Sequence, residues 1–127
     1  MTVWTSDELS NIGAAEELEI ASLRSDGTLR KPVTIWVVRL GGDLYVRSVH
    51  GRTSAWFRGV QDRYEGQIVA GGIQKDVFFV DVEAESNQED QIDAAYRSKY
   101  RRYAANIVNS TLTAQARSAT LKFAPRS

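Results

Sequence analysis

The chain has 127 residues, 43% hydrophobic and 25% charged, a globular balance that excludes a disordered or fibrous protein and fits one domain over residues 1–127. Net charge is zero and cysteine is absent, which excludes a disulfide framework and a thiolate nucleophile and points to a cytoplasmic location. The charge is unevenly placed, however: residues 24–63 carry eight cationic side chains against three acids, a division that speaks against nucleic acid as a partner and allows a local anion site.

The opening MTVWTSDELSN lacks a basic, apolar signal pattern, and no run is long enough to span a bilayer, so neither secretion nor membrane insertion is expected. Thr5, with Glu8 three residues on, forms a capping-box pattern ahead of Leu9 and Ile12, and Gly13 marks a stop; a short helix is predicted. Glu17–Arg24 reads as a first strand because a Ser25-Asp26-Gly27 turn follows it. Val33–Leu40 is apolar on both faces and reads as a single buried strand, joined by Gly41-Gly42-Asp43 to a partner strand, Leu44–His50. Thr53–Val60, with Trp56 and Phe57, is a short helix. Gln67–Ala70 and Asp76–Glu85 are further strands about a Gly71-Gly72 break, the second alternating at Phe78, Val80, Val82 and Ala84.

Beyond Ser86 and Asn87, either suited to cap a helix, Ile92, Tyr96, Tyr100, Tyr103 and Ile107 recur at helical spacing. One long helix is predicted, with Asp93 and Arg97 as a solvated pair on its other face. Thr120–Phe123 is the last strand, stopped by Pro125. The fold class is α+β, mostly β: about six strands in a small antiparallel barrel, a short mid-chain helix, and a long helix before the last strand.

With one histidine, His50, and no acids at ligand spacing, no metal site is expected. No nucleophile elbow, P-loop or dinucleotide fingerprint is present. The stretch Tyr45–Arg58 stands apart because cation, hydroxyl, glycine and indole follow one another across a strand, a turn and a helix start. Arginine forks at Arg47 and Arg52 match phosphate oxygens, Ser48 adds a donor, Gly51 permits close backbone approach, and the first amides of a helix add partial positive charge. The competing reading pairs Arg47 and Arg52 with Glu17, Glu19 or Asp81 across strands and puts Trp56 in the core.

The run Arg24-Ser25-Asp26-Gly27-Thr28-Leu29-Arg30-Lys31-Pro32-Val33, then a hairpin, Arg47-Ser48, Gly51 and Ala55-Trp56, resembles the split β-barrel, FMN-binding-like superfamily. More closely, it resembles a bacterial domain-of-unknown-function family related to deazaflavin-dependent nitroreductases. The resemblance implies a six-stranded split barrel, a homodimer, and FMN or a deazaflavin in a groove beside the barrel. Arg30, Lys31, Arg47 and Ser48 would meet the phosphate and Trp56 would line the ring or substrate pocket. Together with Gly51 and Arg52 from the segment above, these form the expected cofactor-binding set. Two departures from the pattern stand out: Asp26 interrupts the Ser-Gly pair, and Val49-His50-Gly51-Arg52 replaces a Lys-Gly loop.

The implied function is a flavin- or deazaflavin-dependent oxidoreductase of nitroreductase type. One alternative is a cofactor-free enzyme on an anionic or aromatic metabolite, with Glu17, Glu19, Tyr96 or Tyr100 as acid/base. The other is a non-catalytic ligand-binding or dimerisation module in which Trp36, Trp56 and the tyrosine stripe are core and interface.

Overall fold

In the computed structural model, which describes residues 3–82 and 87–126, the strands form one sheet of seven in the order β2-β1-β5-β6-β7-β4-β3. The expected count of six fails at a single place. Val33–Leu40 is divided into β2 (Val33–Ile35) and β3 (Val38–Leu40). β2 pairs antiparallel with β1 (Leu18–Ser22), while β3 pairs antiparallel with β4 (Asp43–Arg47) at the opposite edge.

The division has a physical cause. The Val37 N–H donates to the Tyr100 hydroxyl at 3.2 Å, and the Val37 carbonyl accepts from Lys99 Nζ at 2.6 Å. These side chains take the place of a ladder partner, and the Trp36 ring stacks on Tyr100 with centroids 3.8 Å apart. Because only Trp36 and Val37 join the two edge strands, those edges lie within about 10 Å along the chain. The sheet must therefore curl into a half-barrel with an open seam between β2 and β3.

Helix α1 (Ser6–Ala14) has the predicted capping box: Thr5 Oγ1 accepts from the Glu8 amide at 3.1 Å and the Thr5 amide donates to Glu8 at 2.9 Å. It runs one residue past Gly13 and buries Leu9 and Ile12. After β4, a 3-10 turn at Gly51–Thr53 leads into α2 (Ala55–Arg63), followed by the hairpin of β5 (Glu65–Ala70) and β6 (Ile73–Asp81). In β6 the inward residues are Val77 and Phe79, whereas Phe78 and Val80 lie exposed on the outer face. The predicted positions Ala84 and Ser86 fall outside the described residues.

The tyrosine stripe is not one helix. α3 (Asn87–Lys99) stops before Tyr100, and two short helices, α4 (Ala105–Asn109) and α5 (Ala114–Arg117), precede β7 (Thr120–Pro125). The stop lets the chain turn back, so that Val108 rejoins Ile92, Tyr96 and Tyr100 in an apolar cluster over Val38 and Tyr45. A second cluster, with Leu18, Ile20, Leu44, Val46, Phe57, Ile68, Phe79 and Phe123, fills the inside of the curl. β4 is thus buried on both faces: Leu44 and Val46 point into the curl, and Tyr45 points under α3. Among the described residues no helix is long and apolar enough to cross a membrane.

Candidate functional site: two clefts flanking Trp56

The first cleft, of about 240 Å³, lies between β1, β2 and the start of α2. Ile20, Val33 and Val60 form its apolar floor, and Ser22, Arg24, Arg30 and Lys31 bring polar groups to it. Period-two geometry puts Ile20 and Ser22 on the same face of β1. The turn after β1 is closed by Asp26, whose carboxylate accepts from the Thr28 amide at 3.0 Å and the Thr28 hydroxyl at 2.7 Å. Those bonds hold the Asp26 carboxyl below the ordinary aspartate range. The acid that interrupts the Ser-Gly pair is therefore committed to its own turn, and it does not line the cleft.

Arg24 steadies the same turn through Thr28 Oγ1 and the Leu29 carbonyl. Arg30 is ion-paired with Asp62 of α2, and its Nε is buried without a partner among the described residues. Ser22 is 6% exposed, and its hydroxyl makes no hydrogen bond among the described residues. Ala55 and Trp56, at the first turn of α2, complete the lining. The Ser54 side chain does not cap that helix; its hydroxyl bonds Ser48 at 2.7 Å instead. The first amides of α2 are left without an intrahelical acceptor.

The second cleft, of about 320 Å³, shares Trp56 with the first. Thr34, Ile35 and Trp36 form one side, and Tyr96, Ile107 and Thr111 of the helical segment form another, with His50 also in the lining. Neither cleft has an aspartate or glutamate in its lining among the described residues.

Arg47 touches the second cleft, yet it is only 3% exposed. Its guanidinium is ion-paired with Glu89 at 3.2 Å and with Asp93, and it donates to the Thr111 carbonyl at 2.9 Å and Thr120 Oγ1 at 3.1 Å. Arg47 thus ties β4 to α3 and to the helical segment that walls the second cleft. Asp93 is correspondingly buried and bonded to Arg47 instead of forming the expected solvated pair with Arg97, which is exposed. Burial pushes the Glu89 carboxyl above its ordinary range despite the arginine beside it, and it pushes the Tyr96 hydroxyl well above the usual tyrosine value.

Of the expected cofactor-binding set, Arg30, Lys31 and Trp56 meet in the first cleft, and Arg47 and Trp56 line the second. Ser48, Gly51 and Arg52 line neither. Gly51 is buried at φ 77° with Gln115 packed against it. Arg52 pairs with Asp81 at 3.4 Å, donates to the Ser118 carbonyl at 3.0 Å, and lies over the Phe57 ring. Sequence reasoning assigned no role to Ser22. A serine two positions after an apolar strand residue carries no signal until the element covering that face is known.

A family model for bacterial proteins, described as "uncharacterized protein conserved in bacteria" (DUF2255), matches residues 8–123. The chain belongs to that family. No curated protein matches it in sequence. Among solved structures, it is similar to HutZ, the heme storage protein of Vibrio cholerae, with a TM-score of 0.67 at 13% identity over 95% of this chain and 88% of that one. A conserved hypothetical protein of Mycobacterium tuberculosis superposes with a TM-score of 0.66 at 10% identity, covering 98% of this chain and 82% of that one. An F420-H2 dependent reductase, FDR-A, gives 0.61 at 12% identity, covering 87% of this family member and 94% of the reductase. Likeness at such identities establishes the fold, and the curled half-barrel agrees with the split-barrel resemblance.

Proposed function

We propose that this protein binds a flavin or deazaflavin, with the anionic end in the first cleft and the ring system in the second, and acts as an oxidoreductase through it. The observation that carries the reading is the junction at Trp56, where a cationic cleft without carboxylates adjoins an aromatic one. The residues present suit such a ligand. Arg24, Arg30 and Lys31 supply positive charge, the Ser22 hydroxyl and the first amides of α2 supply donors, and Trp36 and Trp56 supply flat apolar surface. When bound, the ring would supply the hydride chemistry, while the chain supplies placement and electrostatics. The name of one structural neighbour, an F420-H2 dependent reductase, is in keeping with this class of ligand.

The cofactor-free alternative loses support at its carboxylates, because Glu17 and Glu19 are exposed and line neither cleft. Tyr96 does line the second cleft, but its burial pushes the hydroxyl well above the usual tyrosine value, which disfavours the phenolate that a base would need. The outer face of β5 and β6, exposing Val69, Phe78 and Val80, is a surface on which the expected homodimer could form. The test is unfolding in the presence of FMN, F420 or riboflavin. A ligand present at about 100 times its Kd adds about 2.7 kcal/mol of stability. FMN or F420 should therefore raise the melting temperature more than riboflavin, which lacks the phosphate, at equal concentration. No shift with any of the three would remove the reading.

A further inference from the structure

Gly59 occupies the middle of α2, a position where glycine costs a helix about 1 kcal/mol relative to alanine. Its surroundings show what the missing side chain provides. An ideal Cβ at Gly59 would stand 2.9 Å from both Cδ and Nε of Arg30 and 3.0 Å from Ser22 Oγ. Two of the polar groups of the first cleft, one from β1 and one from the loop before β2, therefore converge on the bare backbone of this one residue. Three positions along the same helix, Asp62 pairs with Arg30 Nη2, on the face that i and i+3 residues share. Gly59, Asp62, Arg30, Ala55 and Arg58 also line a recess that shares Arg30 and Ala55 with the first cleft.

We propose that Gly59 and Asp62 are positioning residues, and Ser22 a direct donor, for a phosphate monoester in the first cleft. The proposal rests on the reading of that cleft as the anionic subsite. The notch at Gly59 lets the Arg30 side chain lie flat against α2, and Asp62 fixes one end of its guanidinium fork. The hydroxyl of Ser22, a residue 6% exposed, has no hydrogen-bond partner among the described residues and stands beside it. An anion entering the cleft then meets an arginine already held in place, so less side-chain freedom is lost on binding.

The experiment compares wild type with Gly59→Ala and Ser22→Ala. It measures the melting temperature without ligand and titrates inorganic phosphate, FMN and riboflavin by calorimetry or fluorescence. Gly59→Ala should keep or raise the melting temperature, since alanine favours the helix. It should also weaken phosphate and FMN about tenfold, the loss expected when one charge-assisted hydrogen bond is displaced. Riboflavin affinity should stay within about twofold. Ser22→Ala should weaken phosphate and FMN by about fivefold, with riboflavin again unchanged.

Wild-type phosphate affinity in both variants overturns the positioning proposal and leaves the anionic subsite standing. A lower melting temperature in Gly59→Ala with phosphate affinity retained overturns it as well, by showing a structural role for the notch. If Gly59→Ala does not fold, Ser22→Ala decides, and unchanged phosphate binding there counts as refutation. Absence of phosphate and FMN binding in wild type overturns the subsite reading and this proposal together.

Discussion

Arg47 shows how far the fate of a single cation depends on what covers it. By residue type and neighbours it resembles a phosphate ligand, yet in the fold its guanidinium is enclosed by Glu89, Asp93, the Thr111 carbonyl and Thr120. A buried ion pair contributes little net stability compared with an apolar replacement, but losing one partner strands the other charge without solvent. Arg47→Met is therefore expected to cost about 3–5 kcal/mol in urea unfolding. Adding Glu89→Leu should recover part of that loss, because one stranded acid is removed. A cost below about 1 kcal/mol would show that Arg47 is not the tie between β4 and α3. Asp93 follows the same logic: its spacing from Arg97 on α3 suits a surface pair, but the arginine that bonds it, Arg47, comes from strand β4.

At the scale of elements, the features that depend on near neighbours in the chain are the ones that could be read in advance. The capping box at Thr5 and Glu8, the hairpin at Gly41-Gly42 and the helix carrying Trp56 all depend on contacts a few residues apart. The division of β2 from β3 does not. It depends on Tyr100 and Lys99, more than sixty residues away, supplying hydrogen bonds to Val37. The Tyr100 hydroxyl also donates to the Glu16 carbonyl at 2.7 Å, so one side chain fixes the corner of the sheet to the approach of β1. Tyr100→Phe should destabilise the protein by about 1–3 kcal/mol, and the Val37 amide should exchange hydrogen faster than in wild type. Unchanged protection at Val37 would mean that the corner holds without the hydroxyl. The same tyrosine explains why the apolar stripe misleads about helix length: period 3.6 marks a covered face, but Tyr100 reaches that face from a turn, and on the separate short helix α4 it is Val108 that is buried while the stripe's Ile107 is exposed.

For the molecule as a whole, the curl of the sheet and the placement of α2 create two clefts that share one indole. Trp56→Ala should therefore weaken FMN and riboflavin alike, since it removes the wall common to both clefts. Lys31→Ala should weaken FMN about fivefold and leave riboflavin unchanged, as expected for one exposed cation facing the phosphate. Ligand fluorescence titrations separate the two patterns. If Trp56→Ala impaired only FMN, the ring would lie elsewhere and the two clefts would not serve one ligand. The cationic excess in residues 24–63 is also resolved at this scale: Arg47 is spent inside the protein and Arg52 on Asp81, while Arg24, Arg30 and Lys31 reach the first cleft.

The sequence by itself determined the composition, the caps and turns, most of the strands and the family resemblance, because these depend on residue type and on contacts close along the chain. It also brought Arg30, Lys31 and Trp56 into one candidate site. Only the tertiary structure decided which face of each strand is covered and by what. Period two separates two faces of a strand without saying which of them meets a helix. That is why Arg47 became a buried tie, Ser22 joined the first cleft, and a glycine in the middle of α2 came to stand against Arg30.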